Sequence, residues 1–208
     1  GTLGNGFLET LEESPNTTPD AISLHAALAS YVSGGADACA MEVSSIGLDQ
    51  GRVNGAAIDV AIFTNLTRDH LEYHGSMAAY AAAKEKLFLR PGLTSAVLNL
   101  DDAFGRELAG KLKGRVSTIG YSLDGAMAAA DEILCAERIC MSATGVEFEV
   151  DGVKFSAPVV GRFNVSNLLA VTGALRARGG NLEDIAGALR HIQPPPGRMQ
   201  TVGTSDGR

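Results

Sequence analysis

Two short stretches bring together residue types that can do chemistry. The first ends the apolar run ACAMEV, where Glu42 is the last charged residue before Ser44 and Ser45. A carboxylate at the end of a buried strand is costly unless it is paired or bound to a cation. Glu42 therefore reads either as a partnered structural acid or as a ligand, direct or through water, to a hard ion such as Mg²⁺. The second stretch follows the run AIFTN. Its residues LTRDHLEYHG set Asp69, His70, Glu72 and His74 close in sequence, just ahead of a helical turn. His70 suits a metal ligand as well as a structural histidine. His74, before Gly75, suits a loop cap.

Three further segments need the same weighing. Asn16-Thr17-Thr18-Pro19 precedes a helical pattern. Thr18 can supply the N-cap, or the amide and hydroxyls can hold a polar substrate. Lys84 lies in MAAYAAAKEKLF, and a lysine on an Ala-rich helix reads first as solvated. Lys86, two residues on, points to a different part of that helix. Gly105 to Lys111 fits G-x-x-x-x-G-K, but Leu112 stands where Ser or Thr must ligate Mg²⁺. That segment also reads as helix, so it is a chance match and not a phosphate loop.

These residues need elements to position them. The apolar runs Ala38–Val43, Val60–Asn65, Ser95–Leu100 and Val116–Tyr121 are nearly continuous, as in strands buried on both faces. Helical patterns over Asp20–Ser33, Ser76–Leu89 and Phe104–Leu112 alternate with them. The alternation predicts an α/β fold with a mostly parallel sheet flanked by helices. From Ile133 to Val159 the pattern changes to ILCAERICMS, TGVEFEV and VKFSAPV, with a strong hairpin turn at Asp151-Gly152. It predicts a small antiparallel sheet. Helices over Asn164–Arg178 and Leu182–His191 follow. The expected organisation is a parallel α/β part over 1–132, the small sheet over 133–160, and two helices with a terminal segment over 161–208. Ligands of such sheets sit outside the carboxyl ends of the strands, where Glu42 and His70 are expected.

Composition bounds the function. The 208 residues are 45% hydrophobic and 20% charged, enough for a sizeable core. A net charge of −7 speaks against a general nucleic-acid binder but allows a phosphorylated small molecule. Cys39, Cys135 and Cys140 form no CxxC pair, which excludes a zinc knuckle and a disulfide framework and suits a reducing cytoplasm. Cys39 reads as a buried small hydrophobe. No apolar run is long enough for membrane insertion.

Taken together, EVSSIGLDQGRV, FTNLTRDHLEYHG, the lysine of AAAKEKLF, LNLDD, FNVSNLLA and GRMQ resemble, in order and approximate spacing, the Mur ligases. With GTLGNG and NTTP, the resemblance is nearest to members that add the third residue of the peptidoglycan stem peptide. It implies the Rossmann-like or P-loop-like central ATPase domain of that family. It implies ATP-dependent amide-bond formation through an acyl phosphate, with UDP-muramoyl dipeptide and an amino acid, diaminopimelate being the commoner one, as substrates. Glu42 and His70 would serve two Mg²⁺ ions, and Lys84 would be carbamylated. Asn16, Thr17, Thr18, Ser44, Gln50 and Arg52 would hold the muramoyl dipeptide. Asn164, Asn167 and Arg198 would contact nucleotide. The family's Walker loop, N-terminal UDP-binding domain and C-terminal domain are expected outside these 208 residues, so the polypeptide alone is expected to be inactive. Ile46 departs from the histidine of many relatives. A folylpolyglutamate-synthase-like ligase and a non-catalytic substrate-binding domain are the alternatives. A nicotinamide oxidoreductase is disfavoured because no G-x-G-x-x-G follows a strand.

Overall fold

The computed structural model describes residues 1–8 and 10–194. The chain divides into two compact units. One comprises Gly1–Asp59 with Thr67–Leu93, and the other comprises Val60–Leu66 with the chain from Thr94 onward.

The second unit holds the predicted parallel sheet. Strands β1 (Val60–Phe63), β2 (Ser95–Asn99), β3 (Ser117–Ser122) and β4 (Glu132–Cys135) lie side by side in that order. All neighbours are parallel, with Ile62 opposite Val97 and Val97 opposite Ile119. Ala96, Val97 and Leu98 are fully buried, which accounts for the unbroken apolar run. The crossover from β2 to β3 is α5 (Ala103–Leu112), capped by the Asp102 side chain accepting from Phe104 N–H. Gly105, Gly110 and Lys111 all lie inside α5, and Lys111 pairs with Glu107 one turn back at 2.9 Å. The G-x-x-x-x-G-K segment is thus a helix, as its composition suggests.

A separate antiparallel sheet follows, with strand order β5 (Glu137–Met141), β6 (Val146–Val150) and β7 (Val153–Ala157). Asp151 and Gly152 turn β6 into β7 with φ of 49° and 80°, the positive values a two-residue hairpin demands. ILCAERICMS is not one antiparallel strand as expected. It divides at Ala136 into β4, which joins the parallel sheet, and β5, whose register shifts between Glu137 and Cys140 where Arg138 has φ of 51°. Helix α6 (Arg162–Ala177) starts two residues earlier than its pattern suggests, and α7 (Leu182–Leu189) follows, capped by Asn181. Leu134, Phe148, Phe155, Leu169, Ile185 and Leu189 belong to one continuous core running from the parallel sheet through the small sheet to these helices.

The first unit contains α1 (Ala21–Ser33), α2 (Ser45–Asp49), α3 (Leu71–His74) and α4 (Met77–Phe88). Asp20, not Thr18, caps α1, accepting from Ile22 and Ser23 N–H at 3.0 Å each. The predicted strand Ala38–Val43 is not formed: among the described residues no strand pairs with it. An apolar run becomes a strand only when a neighbour takes its backbone groups. Ala38, Cys39, Ala40 and Glu42 are exposed, so Cys39 is not the buried hydrophobe expected, and Glu42 does not end a buried strand.

Gly105 faces the turn after β2 so closely that an added Cβ would overlap the carbonyl oxygen of Asn99, a backbone atom. Gly105→Ala should lower the unfolding free energy by about 3 kcal/mol, read from the urea midpoint at unchanged slope.

Candidate active site

Two groups of side chains in the first unit contain most of the predicted site residues. The first surrounds Glu42. Its Oε2 accepts from the backbone N–H of Thr2 at 3.1 Å and from the Thr2 hydroxyl at 2.6 Å, and that hydroxyl lies 3.3 Å from the hydroxyl of Thr17. Thr18 is buried beneath them. It donates to the Glu42 carbonyl at 3.1 Å and accepts from Ser44 N–H at 2.9 Å. Ser44 in turn caps α2, its Oγ accepting from Gly47 N–H at 3.0 Å. Gly47 packs closely here: a Cβ would stand 3.0 Å from the Thr18 side chain, so that side chain would have to give by a few tenths of an ångström to admit one. Arg52 closes the group. Its Nη1 donates to the Thr18 carbonyl at 2.8 Å and its Nε to the Gln50 side-chain oxygen at 2.9 Å.

Thr17, Thr18, Glu42, Ser44, Gln50 and Arg52, picked out on separate segments, thus form one bonded network. Asn16 contributes its backbone carbonyl, which accepts from Ser14 Oγ at 2.8 Å. Its side chain is exposed with Pro15 and Pro19 in a shallow depression at the start of α1.

The second group is arranged around Tyr80, a buried residue of α4. His74 stacks on its ring with centroids 5.3 Å apart and 20° between planes. The His70 ring meets it edge-on at 5.8 Å and 86°. Lys84, one turn along α4, places its Nζ over the ring 5.1 Å from the centroid, within the range of a cation–π contact. Lys84 is therefore half-buried rather than solvated. Burial, then the nearby Asp69 carboxylate, raises the Tyr80 hydroxyl above its ordinary pKa.

His70 caps α3 in the left-handed region, with φ of 53°, and its backbone N–H donates to Asp69 Oδ1 at 2.8 Å. Its imidazole lies 3.6 Å from Asp69 and 3.9 Å from Glu72. His74 does more than cap a loop, since its Nε2 lies 2.9 Å from Ser45 Oγ and ties α3 to α2. Asp49 at the end of α2 takes Lys86 Nζ at 2.6 Å and the Tyr73 hydroxyl at 3.1 Å. Lys86 and Lys84 thus leave α4 toward different partners, as their spacing implies.

Among the described residues, no three His, Cys, Asp or Glu side chains converge as a metal site. The donors nevertheless suit a hard cation in part. Glu42 Oε1 accepts no hydrogen bond among the described residues, and the Thr2 and Thr17 hydroxyls add neutral oxygens beside it. One carboxylate and one imidazole are too few for Mg²⁺, which takes mainly oxygen and keeps several waters or substrate oxygens.

The second unit carries the residues expected to meet nucleotide. Asn164 and Asn167 lie on one side of the first turns of α6. Asn167 Nδ2 donates to Asn164 Oδ1 at 3.2 Å, and Asn164 Nδ2 donates to the Val160 carbonyl at 2.8 Å. Arg198 lies outside the described residues. The LNLDD segment has a structural use. Asp102 accepts from Leu66 N–H at 2.8 Å as well as capping α5, and Asp101 accepts from Leu123 N–H at 2.7 Å and from the Ser122 hydroxyl. Both carboxylates lace together the carboxyl ends of β1, β2 and β3. Sequence reasoning passed over Tyr80, although its spacing of four from Lys84 places the two on one helical face.

The fold is of the α/β class, a four-stranded parallel sheet followed by a three-stranded antiparallel one, and the first unit sets a braced threonine loop beside a carboxylate and a histidine and a lysine against one aromatic ring. The Mur ligase middle domain family matches residues 1–175, and the chain belongs to it. Among curated relatives, the UDP-N-acetylmuramoyl-L-alanyl-D-glutamate–2,6-diaminopimelate ligases of Ectopseudomonas mendocina and Pseudomonas aeruginosa are 49% and 50% identical to it. Each alignment covers 99% of this chain and 42% of the relative, so the chain spans about two fifths of their length. A solved diaminopimelate ligase structure superposes with a TM-score of 0.85 at 37% identity, over 98% of this chain and 42% of that one. A MurF structure from Acinetobacter baumannii shares the fold at 23% identity, with a TM-score of 0.58 over 70% of this chain and 32% of that one.

The Lys86 ammonium, first by its hydrogen bond, holds the Asp49 carboxyl below its ordinary value of 3.8. A depressed folded-state pKa adds stability above the unfolded value, which is lost as pH falls through the folded one. In Lys86→Met, carbon-detected NMR titration should show Asp49 moving back up toward 3.8, and the variant should be less stable than wild type above that pH, the two converging as pH falls through the wild-type folded value.

Proposed function

We propose that the chain is the central part of an ATP-dependent ligase that joins diaminopimelate to UDP-N-acetylmuramoyl-L-alanyl-D-glutamate in peptidoglycan precursor synthesis. The observation that carries this reading is near-50% identity to diaminopimelate ligases along 99% of the chain, with the chemically apt residues gathered in one unit. The same similarity weighs against a folate-directed ligase.

In this reading the substrate carboxylate takes the γ-phosphoryl group of ATP, releasing ADP. The incoming amine then attacks the acyl carbon, and phosphate and a proton leave as the amide forms. Positioning and charge neutralisation account for such catalysis. Arg52, already aimed across the Thr18 loop, offers its guanidinium fork to a carboxylate or phosphate. Thr17, Ser44, Gln50 and Asn16 supply neutral donors and acceptors around it. Glu42 and His70 would hold Mg²⁺, which when bound supplies positive charge to the polyphosphate and the acyl phosphate. Asn164 and Asn167, with Arg198, would meet the nucleotide.

Lys84 is the carbamate site in this reading. Its neutral amine forms an N–C bond to CO₂, one C=O π pair moves to oxygen, and the nitrogen loses a proton to solvent. The product is an anion with two oxygens, a far better partner for a hard cation than an ammonium. The described residues contain no phosphate loop, since their G-x-x-x-x-G-K segment is helical. In this reading the phosphate cradle is supplied from outside the described residues. The 208 residues alone should not ligate.

In the full-length ligase, Lys84→Met should lower kcat by about 10³-fold or more, with folding retained. Amide formation followed with the muramoyl dipeptide, ATP and diaminopimelate checks this, and a loss below tenfold would remove Lys84 from the chemistry.

A further inference from the structure

The Tyr80 ring is 6% exposed, and His74, itself bonded to Ser45, is stacked on it. A ring held in this way cannot swing without breaking its stack on a histidine that is itself tied down. Lys84, by contrast, has a flexible four-carbon stem, and His70 sits on a short helix end. Both meet the same ring, Lys84 with its Nζ 5.1 Å from the centroid and His70 edge-on at 5.8 Å. The Tyr80 hydroxyl makes no hydrogen bond among the described residues.

We propose that Tyr80 is the positioning residue of this centre, its aromatic ring rather than its hydroxyl holding the Lys84 nitrogen and the His70 imidazole in one place. The inference rests on the assignment of Lys84 as the carbamate-forming lysine. Tyr80 touches neither CO₂ nor substrate. It acts by ordering the lysine stem in advance: the cation–π contact holds the ammonium and is given up when the proton leaves, and packing of the stem on the ring then keeps the carbamate where a cation and the imidazole can use it. The ring also packs the methylene groups of the stem after the nitrogen has lost its charge.

The test uses the full-length ligase equilibrated with ¹³C-bicarbonate, with the carbamate carbon read by NMR and thermal unfolding read in parallel. Tyr80→Phe keeps the ring and should keep the carbamate signal. Tyr80→Leu, and Tyr80→Met as a second variant whose flexible side chain can refill the site, should lose about fivefold of it, the scale of one side chain's lost ordering. Both should also need about fivefold more bicarbonate for half-maximal activity. A purely structural ring would lower the melting temperature and leave the bicarbonate requirement of the folded enzyme at the wild-type value, and that result overturns the proposal. So does a signal unchanged or larger in Tyr80→Leu or Tyr80→Met, or one lost in Tyr80→Phe, which would point to the hydroxyl. If the wild-type enzyme gives no carbamate signal, the Lys84 assignment itself falls and takes this inference with it. A signal present in wild type and unaffected by loss of the ring removes Tyr80 alone.

Discussion

Extended backbone that joins no sheet must find its hydrogen bonds elsewhere, and in the first unit that need falls on Thr18. The buried hydroxyl donates to the carbonyl of Glu42 and accepts from the N–H of Ser44. The Thr18 carbonyl receives Arg52. One residue thus stitches together the threonine loop, the exposed segment that carries Glu42 and the turn after α2. The small size of Gly47 follows from the same packing, and so does the start of α2 at Ser44. Such a hydroxyl can be replaced only by a group that both donates and accepts in the same volume, because each orphaned buried partner costs about 1–3 kcal/mol.

The second unit meets the same constraint with carboxylates. Strand ends in a parallel sheet leave backbone groups unpaired where the chain turns away. Asp101 and Asp102 take them up from Leu66, Phe104 and Leu123. Tyr121 adds a further tie by donating to the Phe63 carbonyl at 3.3 Å, and burial raises its hydroxyl above the usual range. Acidic residues at the ligand-binding end of such a sheet invite a catalytic reading. Here every one of these oxygens already has a backbone or hydroxyl partner.

The parallel sheet, the hairpin at Asp151-Gly152 and the helices were legible because each rests on local pattern: continuous apolar runs, a turn dipeptide with positive φ, and capping residues. The run Ala38–Val43 was misread because strand formation depends on a partner, which composition does not reveal. The division of ILCAERICMS was hidden for a related reason. Nothing in its residue types marks where one strand leaves the parallel sheet and the next enters another. The chemistry of Glu42 and His70 could be suspected from type and position, whereas Lys84 read as solvated until the ordered motifs joined it to them. The bonds that organise them could not. Thr18 looked like a cap because it stands in a polar cluster just ahead of the helical pattern, but Asp20, two residues on, takes that place with an acceptor that reaches two backbone N–H groups. Tyr80 drew no notice because a tyrosine in an Ala-rich helix is an ordinary core residue until its neighbours are known.

His70 occupies a left-handed backbone conformation at the head of α3. Few side chains tolerate that geometry, and β-branched ones are the most penalised. In the proposed function, any replacement at this position is screened twice, once by the backbone and once by the chemistry asked of the imidazole. Glycine and asparagine pass the first screen and fail the second. Valine and isoleucine fail the first before the second is reached. In that reading the substitutes that suit His70 are limited by a dihedral angle as much as by a ring nitrogen, and a survey of tolerated residues there should register the fold before it registers the reaction.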